Sequence, residues 1–262
     1  MSEITVNAPG IIFASGFEIL LPFILSFIWI KNYNGSISPI LIGIVGFIGS
    51  VAVETLFLVL ITQIFDKTSI IITIIGLISP GLFEETGRYI CLNYLLKKNK
   101  LKNISVCYGI GHGGIESIFV GLSFLSYLFT KDILIEKGVL KESITFANCL
   151  MGACERISAV ILHISLSIIV YKAVKEKIIY YYIFSIFYHD FVDFFAFLKA
   201  KNYITSILVV ELIVAILALI IGFYSYRLYN RIEDKKEEEE EKEKVLPLKE
   251  KNESSINNNN EI

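Results

Sequence analysis

Apolar residues of this chain gather into seven runs, near 11–30, 38–65, 69–96, 104–129, 144–171, 178–198 and 204–226, each rich in Ile, Leu, Phe and Val. Runs of about 20 such residues match the hydrocarbon thickness of a bilayer, and a soluble core helix accounts for one such run but not for seven. The pattern predicts an all-α polytopic membrane protein with seven transmembrane helices. The first run follows a segment with Glu3 and no basic residue, and it is too long for a signal-peptide core. It reads as a retained helix.

Hydrophobic residues make up 54% of the 262 residues, and the net charge of -2 hides a strong segregation of charge into connections and one tail. Placing the N-terminus outside puts Lys31, the lysines at 97–102, Lys172, Lys175, Lys177, Arg227 and Arg231 inside. The positive-inside rule therefore predicts an outside N-terminus and a cytoplasmic C-terminus. Sequons at Asn34, Asn103 and Asn252 then fall on the inner side, which predicts an unglycosylated protein. From 232 to 262 Lys, Glu and finally Asn dominate, with little to bury. A membrane domain at 1–231 followed by a disordered acidic and Asn-rich cytoplasmic tail at 232–262 is expected. Cys91, Cys107, Cys149 and Cys154 have neither a close-paired metal spacing nor a disulfide framework, and they read as small packing residues. No basic face exists beyond the lysines of the inner loops, so nucleic acid is no partner and membrane lipid is.

The chemistry lies in the polar residues within the spans, because ionisable groups at membrane depth cost several kcal/mol and need compensating partners. The third span carries Pro80 and Gly81, then Glu84, Glu85 and Arg88. Pro-Gly in mid-membrane predicts an interrupted helix whose second half starts near Pro80, with the two acids in its first turns. Glu84 and Arg88, spaced i,i+4, can pair on one face, which leaves a surplus acid. In the fourth span His112 and Glu116 share a face among Gly109, Gly111, Gly113 and Gly114, and small residues there let a neighbouring helix approach. The fifth carries Glu155, Arg156 and His163; the sixth carries His189, Asp190 and Asp193. Glu18, Glu54 and Glu211, without a histidine in their own spans, read as interhelical hydrogen-bonding groups. Tyr180, Tyr181 and Tyr182 read as an interfacial belt.

Counted from the nearest inner-side lysine, Glu84, His112, His163 and His189 lie roughly 9 to 13 residues deep, which is roughly 14 to 20 Å along a helix. One layer near mid-membrane is predicted, with Glu116, Glu155 and Asp193 about one turn further out. Three imidazoles and an acid match the donors of catalytic zinc, whose bound water a glutamate can deprotonate. The implied reaction is hydrolysis: Glu84 or Glu85 as general base, His112, His163 and His189 as ligands, and Arg88, Glu116, Glu155 and Asp193 orienting them. Zn2+ is the expected cofactor, in a water-accessible cavity open to the cytoplasmic half.

The Glu84-Glu85-x-x-Arg88 motif, the Gly111–Glu116 motif and the His189 segment resemble the YhfC family of intramembrane metalloproteases. The stretch from Ile161 to Lys199 is also similar to the paired-histidine spans of the anterior-pharynx-defective subunit of gamma-secretase, and both resemble the CAAX prenyl proteases and bacteriocin-processing enzymes. The resemblance covers about residues 11–229. It implies a seven-helix membrane hydrolase cleaving membrane-embedded or lipid-modified (prenylated) peptides, in which a glutamate activates water and later histidines hold a metal or polarise the peptide bond. Asp193, four residues after His189, matches the Asn or Asp of the last prenyl-protease motif. That pattern has three residues between its acidic pair and its arginine, whereas only Thr86 and Gly87 intervene here, so either Glu84 or Glu85 fits the base. The gamma-secretase subunit is a scaffold, which leaves an assembly subunit with a membrane partner as one alternative. A proton or ion pathway is another.

Overall fold

A computed structural model describes residues 4–66, 69–96, 101–140 and 143–232. Among these residues the chain is helical throughout: α1 (Ala8–Tyr33), α2 (Ile37–Ile64), α3 (Ile70–Ile90), α4 (Asn103–Glu136), α5 (Phe146–Glu176), α6 (Ile179–Ala200) and α7 (Ile207–Tyr229). A π-helical turn, Cys91–Leu95, extends α3. An isolated bridge, Val6 to Ile144, ties the segment before α1 to the segment before α5.

Helix ends follow local chemistry. The Asn7 side chain accepts the Gly10 amide at 2.8 Å to start α1, and Thr145 with Asn148 forms a reciprocal cap on α5. Asn34 and Lys177 end α1 and α5 with left-handed backbone at φ 53° and 59°. Pro80 does not break α3, contrary to the sequence expectation. The helix runs through it, and the Gly81 amide donates to Asp190 Oδ1 of α6 at 2.9 Å. A side chain from a neighbouring helix thus serves a backbone donor beside the proline.

Among the described residues six helices are long and apolar enough to cross a membrane: α1, α2, α3 with its π turn, α4, α5 and α7. Length and composition thus support six spans rather than the seven expected. The sixth helix differs because the three tyrosines at 180–182 with His189, Asp190 and Asp193 lower its mean hydropathy. The expected tail lies outside the described residues except for Ile232, which is buried in the core beside Leu228.

α5 is the axis of the bundle. It packs against α1, α3, α4, α6 and α7, and 78% of its most apolar window is buried. Leu166, Ile169 and Val170 of α5 are fully enclosed with Tyr108 and Ile110 of α4 and Ile221 of α7. α4 reaches α5 and α2 through glycine. A Cβ on Gly113 would meet the His163 side chain at 2.9 Å, and one on Gly111 would collide with the Ile40 carbonyl. These close approaches bring the polar segments of α3, α4, α5 and α6 together at mid-bundle.

Candidate active site

Within an unbroken α3, residues 84, 85 and 88 take neighbouring faces of one helix, and the structure gives the two glutamates different partners. Arg88, with no exposed surface, lies 3.1 Å from Glu85 Oε1 and also donates to the His163 carbonyl (2.6 Å) and Ser167 Oγ (2.7 Å). The same Glu85 oxygen accepts from His189 Nδ1 at 2.9 Å. Glu85 is therefore committed to Arg88 and His189, and the expected Glu84–Arg88 pair gives way to an i,i+3 pair. The reason is the acceptors on α5, which draw the guanidinium to the Glu85 side.

Glu84 instead meets α4, its Oε2 lying 2.9 Å from His112 Nε2. Donation from Nε2–H to the carboxylate leaves the lone pair on His112 Nδ1, and that buried atom has no hydrogen-bond partner among the described residues. The His112 and His163 ring centroids are 5.0 Å apart, and those of His163 and His189 are 5.4 Å apart. The three imidazoles form one row across α4, α5 and α6.

Arginine only donates, so its 3.1 Å approach to His163 Nδ1 makes that nitrogen an acceptor and puts the proton of a neutral ring on Nε2. Glu116 Oε2 stands 2.5 Å from that Nε2. The glutamate one turn from His112 thus serves His163, because α4 turns Glu116 towards α5. Its other oxygen takes the Arg156 guanidinium at 2.9 Å, and Arg156 also clasps its chain neighbour Glu155 at 2.5 Å. His189 donates from Nδ1 to Glu85, which leaves the lone pair on Nε2, with Asp193 Oδ2 at a longer 3.6 Å. A buried ring oriented by a carboxylate on its other nitrogen is the form that metal-ligating histidines take.

Glu84, His112 and His163 each offer a ligand atom, and these atoms all lie within 4.8 Å of one another. Donors around a four-coordinate ion with bonds of about 2.0 to 2.1 Å stand about 3.4 Å apart, so the cluster has the dimensions of a metal centre. The unmatched Nδ1 of His112 and the open Nε2 of His189 are lone pairs that an ion or a water would satisfy. The donor set fits a metal.

A cavity of about 100 Å³ adjoins the cluster, lined by Glu84, Glu116, His163, His189 and Asp193 among others, with room for water. Glu85 does not line it. A second cavity of about 610 Å³ shares Glu116 and Glu155 with the first and runs along α4 as far as Tyr127 and along α5 back to Ile144. Space reaches the cluster from the end of the bundle that bears the α4–α5 connection, not from the Lys102 and Lys172 end. The sequence reading expects the opening at the Lys102 and Lys172 end, where Tyr108, Leu166 and Val170 are buried.

Arg156, Ser167 and Asp190 carry no assigned role in the sequence reading, although an arginine within an apolar span is itself a signal of a buried partner. Ser167 and Asp190 bind through contacts that depend on helix rotation. Of the other buried acids, Glu54 accepts from Ser79 at 2.6 Å, as an interhelical hydrogen bond. Glu18 Oε2 and Glu211 Oε2 have no hydrogen-bond partner among the described residues, unlike the expectation.

The family model described as YhfC intramembrane metalloprotease matches residues 17–214, well over half of the chain and all four helices of the cluster. A curated relative, the uncharacterized membrane protein YhfC of Bacillus subtilis (strain 168), is 32% identical over 164 residues. That match takes in 55% of this chain and 64% of the relative, so the chain spans less than two thirds of the relative's length. No solved structure matches.

Proposed function

Since the chain belongs to the YhfC intramembrane metalloprotease family, we propose that it is a membrane-embedded, metal-dependent endopeptidase in which Glu84 activates the attacking water. One observation carries the reading: of two adjacent glutamates, only Glu84 faces both the water-sized cavity and a histidine, while Glu85 is tied to Arg88 and His189.

His112, His163 and His189 are the proposed ligands, and zinc is the proposed ion. When bound, the ion lowers the pKa of a water to about 7 and polarises a carbonyl as a Lewis acid. Glu84 accepts the proton of the cavity water and, on collapse of the addition product, returns it to the leaving amine. For His163 to serve through Nε2, the neutral ring would carry its proton on Nδ1 instead, with Arg88 moving off that atom to its carbonyl and Ser167 partners and Glu116 giving up its contact with Nε2. Glu85 orients His189 from behind. Arg156 offsets Glu116 and Glu155, and Asp193 faces the same cavity as an orienting carboxylate.

In the same reading α6 crosses the membrane as a seventh span, its polar residues turned to the site, and residues 1–231 form one membrane domain with an outside N-terminus and a cytoplasmic tail. The reaction then takes place nearer the outer face. Substrates are membrane-embedded or lipid-modified peptides.

The test is metal analysis of the purified protein with cleavage of quenched apolar peptides in detergent and in liposomes. The reading expects near-stoichiometric zinc, cleavage that chelation abolishes, and no cleavage by Glu84→Gln. Cleavage by Glu84→Gln at the wild-type rate overturns it.

A further inference from the structure

The 610 Å³ cavity is of ligand-cleft size, and its walls divide into two kinds. Phe47 of α2 with Phe119, Val120 and Phe124 of α4 make an apolar side, and Glu18, Glu116 and Glu155 make an acidic one. Glu116 and Glu155 share Arg156. Glu18 does not: its Oε2 has no hydrogen-bond partner among the described residues, although the residue is only 1% exposed.

Two glycines clear the room around this carboxylate. A Cβ on Gly121 of α4 would press on Glu18 Cβ at 3.1 Å, and one on Gly152 of α5 would stand 3.7 Å from Glu18 Oε1. A buried acceptor without a donor in a hydrocarbon setting is costly, so its retention beside an open cavity calls for a donor that arrives from outside. Three carboxylates against the single guanidinium of Arg156 make that donor a cation. The remaining wall suits an apolar chain.

We infer that this cavity is the substrate-recognition site, and that it receives an unwound apolar peptide segment bearing one basic side chain, whose ammonium or guanidinium pairs with Glu18. The assignment rests on the protease reading for its purpose, not for its binding. The peptide would lie along α4 from Tyr127 towards Glu116, which directs its backbone to the cavity that Glu84 faces.

Binding tests the inference apart from catalysis. Two short fluorescent apolar peptides, identical except for one Lys or one Gln, are titrated into full-length Glu84→Gln and into Glu84→Gln with Glu18→Gln, both in detergent. The Lys peptide is expected to bind at least about tenfold more tightly to the first protein, and the two peptides equally to the second. Equal affinity for the first protein, or a Lys preference that survives loss of the Glu18 carboxylate, overturns the inference. Should the double variant fail to fold, Gly152→Val on Glu84→Gln fills the same space and is expected to weaken the Lys peptide by a similar factor; unchanged affinity counts against the site. Cleavage of the Lys peptide by the wild type is scored separately. Charge-selective binding without cleavage leaves the site standing and removes the protease reading.

Discussion

Substituting glutamine for each member of the acidic pair separates a chemical from a structural carboxylate. Glu85 has no exposed surface, and one of its oxygens serves both Arg88 at 3.1 Å and His189 at 2.9 Å. With Glu85→Gln the guanidinium keeps only neutral partners, the His163 carbonyl, His163 Nδ1 and Ser167 Oγ. Breaking a buried pair by removing one partner costs about 3–5 kcal/mol. For a chain of this size that lowers the melting midpoint by on the order of 10 °C. Glu84→Gln leaves a neutral amide at the cavity rim and keeps a carbonyl acceptor for His112, so its stability is expected to change by about 1 kcal/mol or less, a few °C in the midpoint. Its cleavage rate is expected to fall by about 10²- to 10⁴-fold, the range for loss of a general base. Thermal unfolding in detergent and cleavage of one peptide, measured on the same preparations, read both quantities. A large fall in the Glu84→Gln midpoint with full stability and lost activity in Glu85→Gln would refute the division of roles.

Metal affinity is expected to rise with pH, because protons compete with the metal for the ring nitrogens of His112, His163 and His189; zinc titrations at several pH values with proton release measured alongside check this, and pH-independent affinity speaks against histidine ligation. Arg88→Lys is expected to loosen the His163 ring, since the three N–H of a lysine cannot serve the four acceptors that the guanidinium meets, Glu85 Oε1, Ser167 Oγ and the carbonyl and Nδ1 of His163; imidazole 15N shifts that report an unchanged tautomer would contradict this. Gly113→Val drives a side chain into His163 and is expected to cost at least about 1–3 kcal/mol by overpacking, read as a lower melting midpoint together with lower zinc content.

Proximity of the four groups was readable from the chain. Counting helical residues from flanking lysines set Glu84, His112, His163 and His189 in one layer, and the structure brings Glu84, His112 and His163 within 4.8 Å and the His189 ring beside them. Partner choice was not readable. Whether Glu116 serves His112 on its own helix or His163 across the interface depends on the rotation of α4, which a linear pattern leaves open. Arg88 likewise goes to Glu85 because α5 offers a carbonyl and a hydroxyl there. Pro80 read as a break because the remedy, Asp190, lies 109 residues beyond Gly81. α6 read as a span from its phenylalanines, yet its tyrosines and acids lower its hydropathy below that of the other six helices.

The helix at the axis of the bundle also constrains how the protein is made. Phe146–Glu176 carries Arg156, His163, Ser165 and Ser167 on surfaces that only neighbouring helices cover, and its polar partners come from α3 and α4 before it and α6 after it. Released alone into lipid it would expose the Glu155–Arg156 ion pair and a His163 without partners, so during synthesis it is expected either to wait beside the insertion machinery or to dock at once on the first four helices. α3 and α4 already supply Glu116 for Arg156 and Arg88 for Ser167. Ribosome-attached chains truncated after α5 should therefore resist extraction, and those lacking α4 should not.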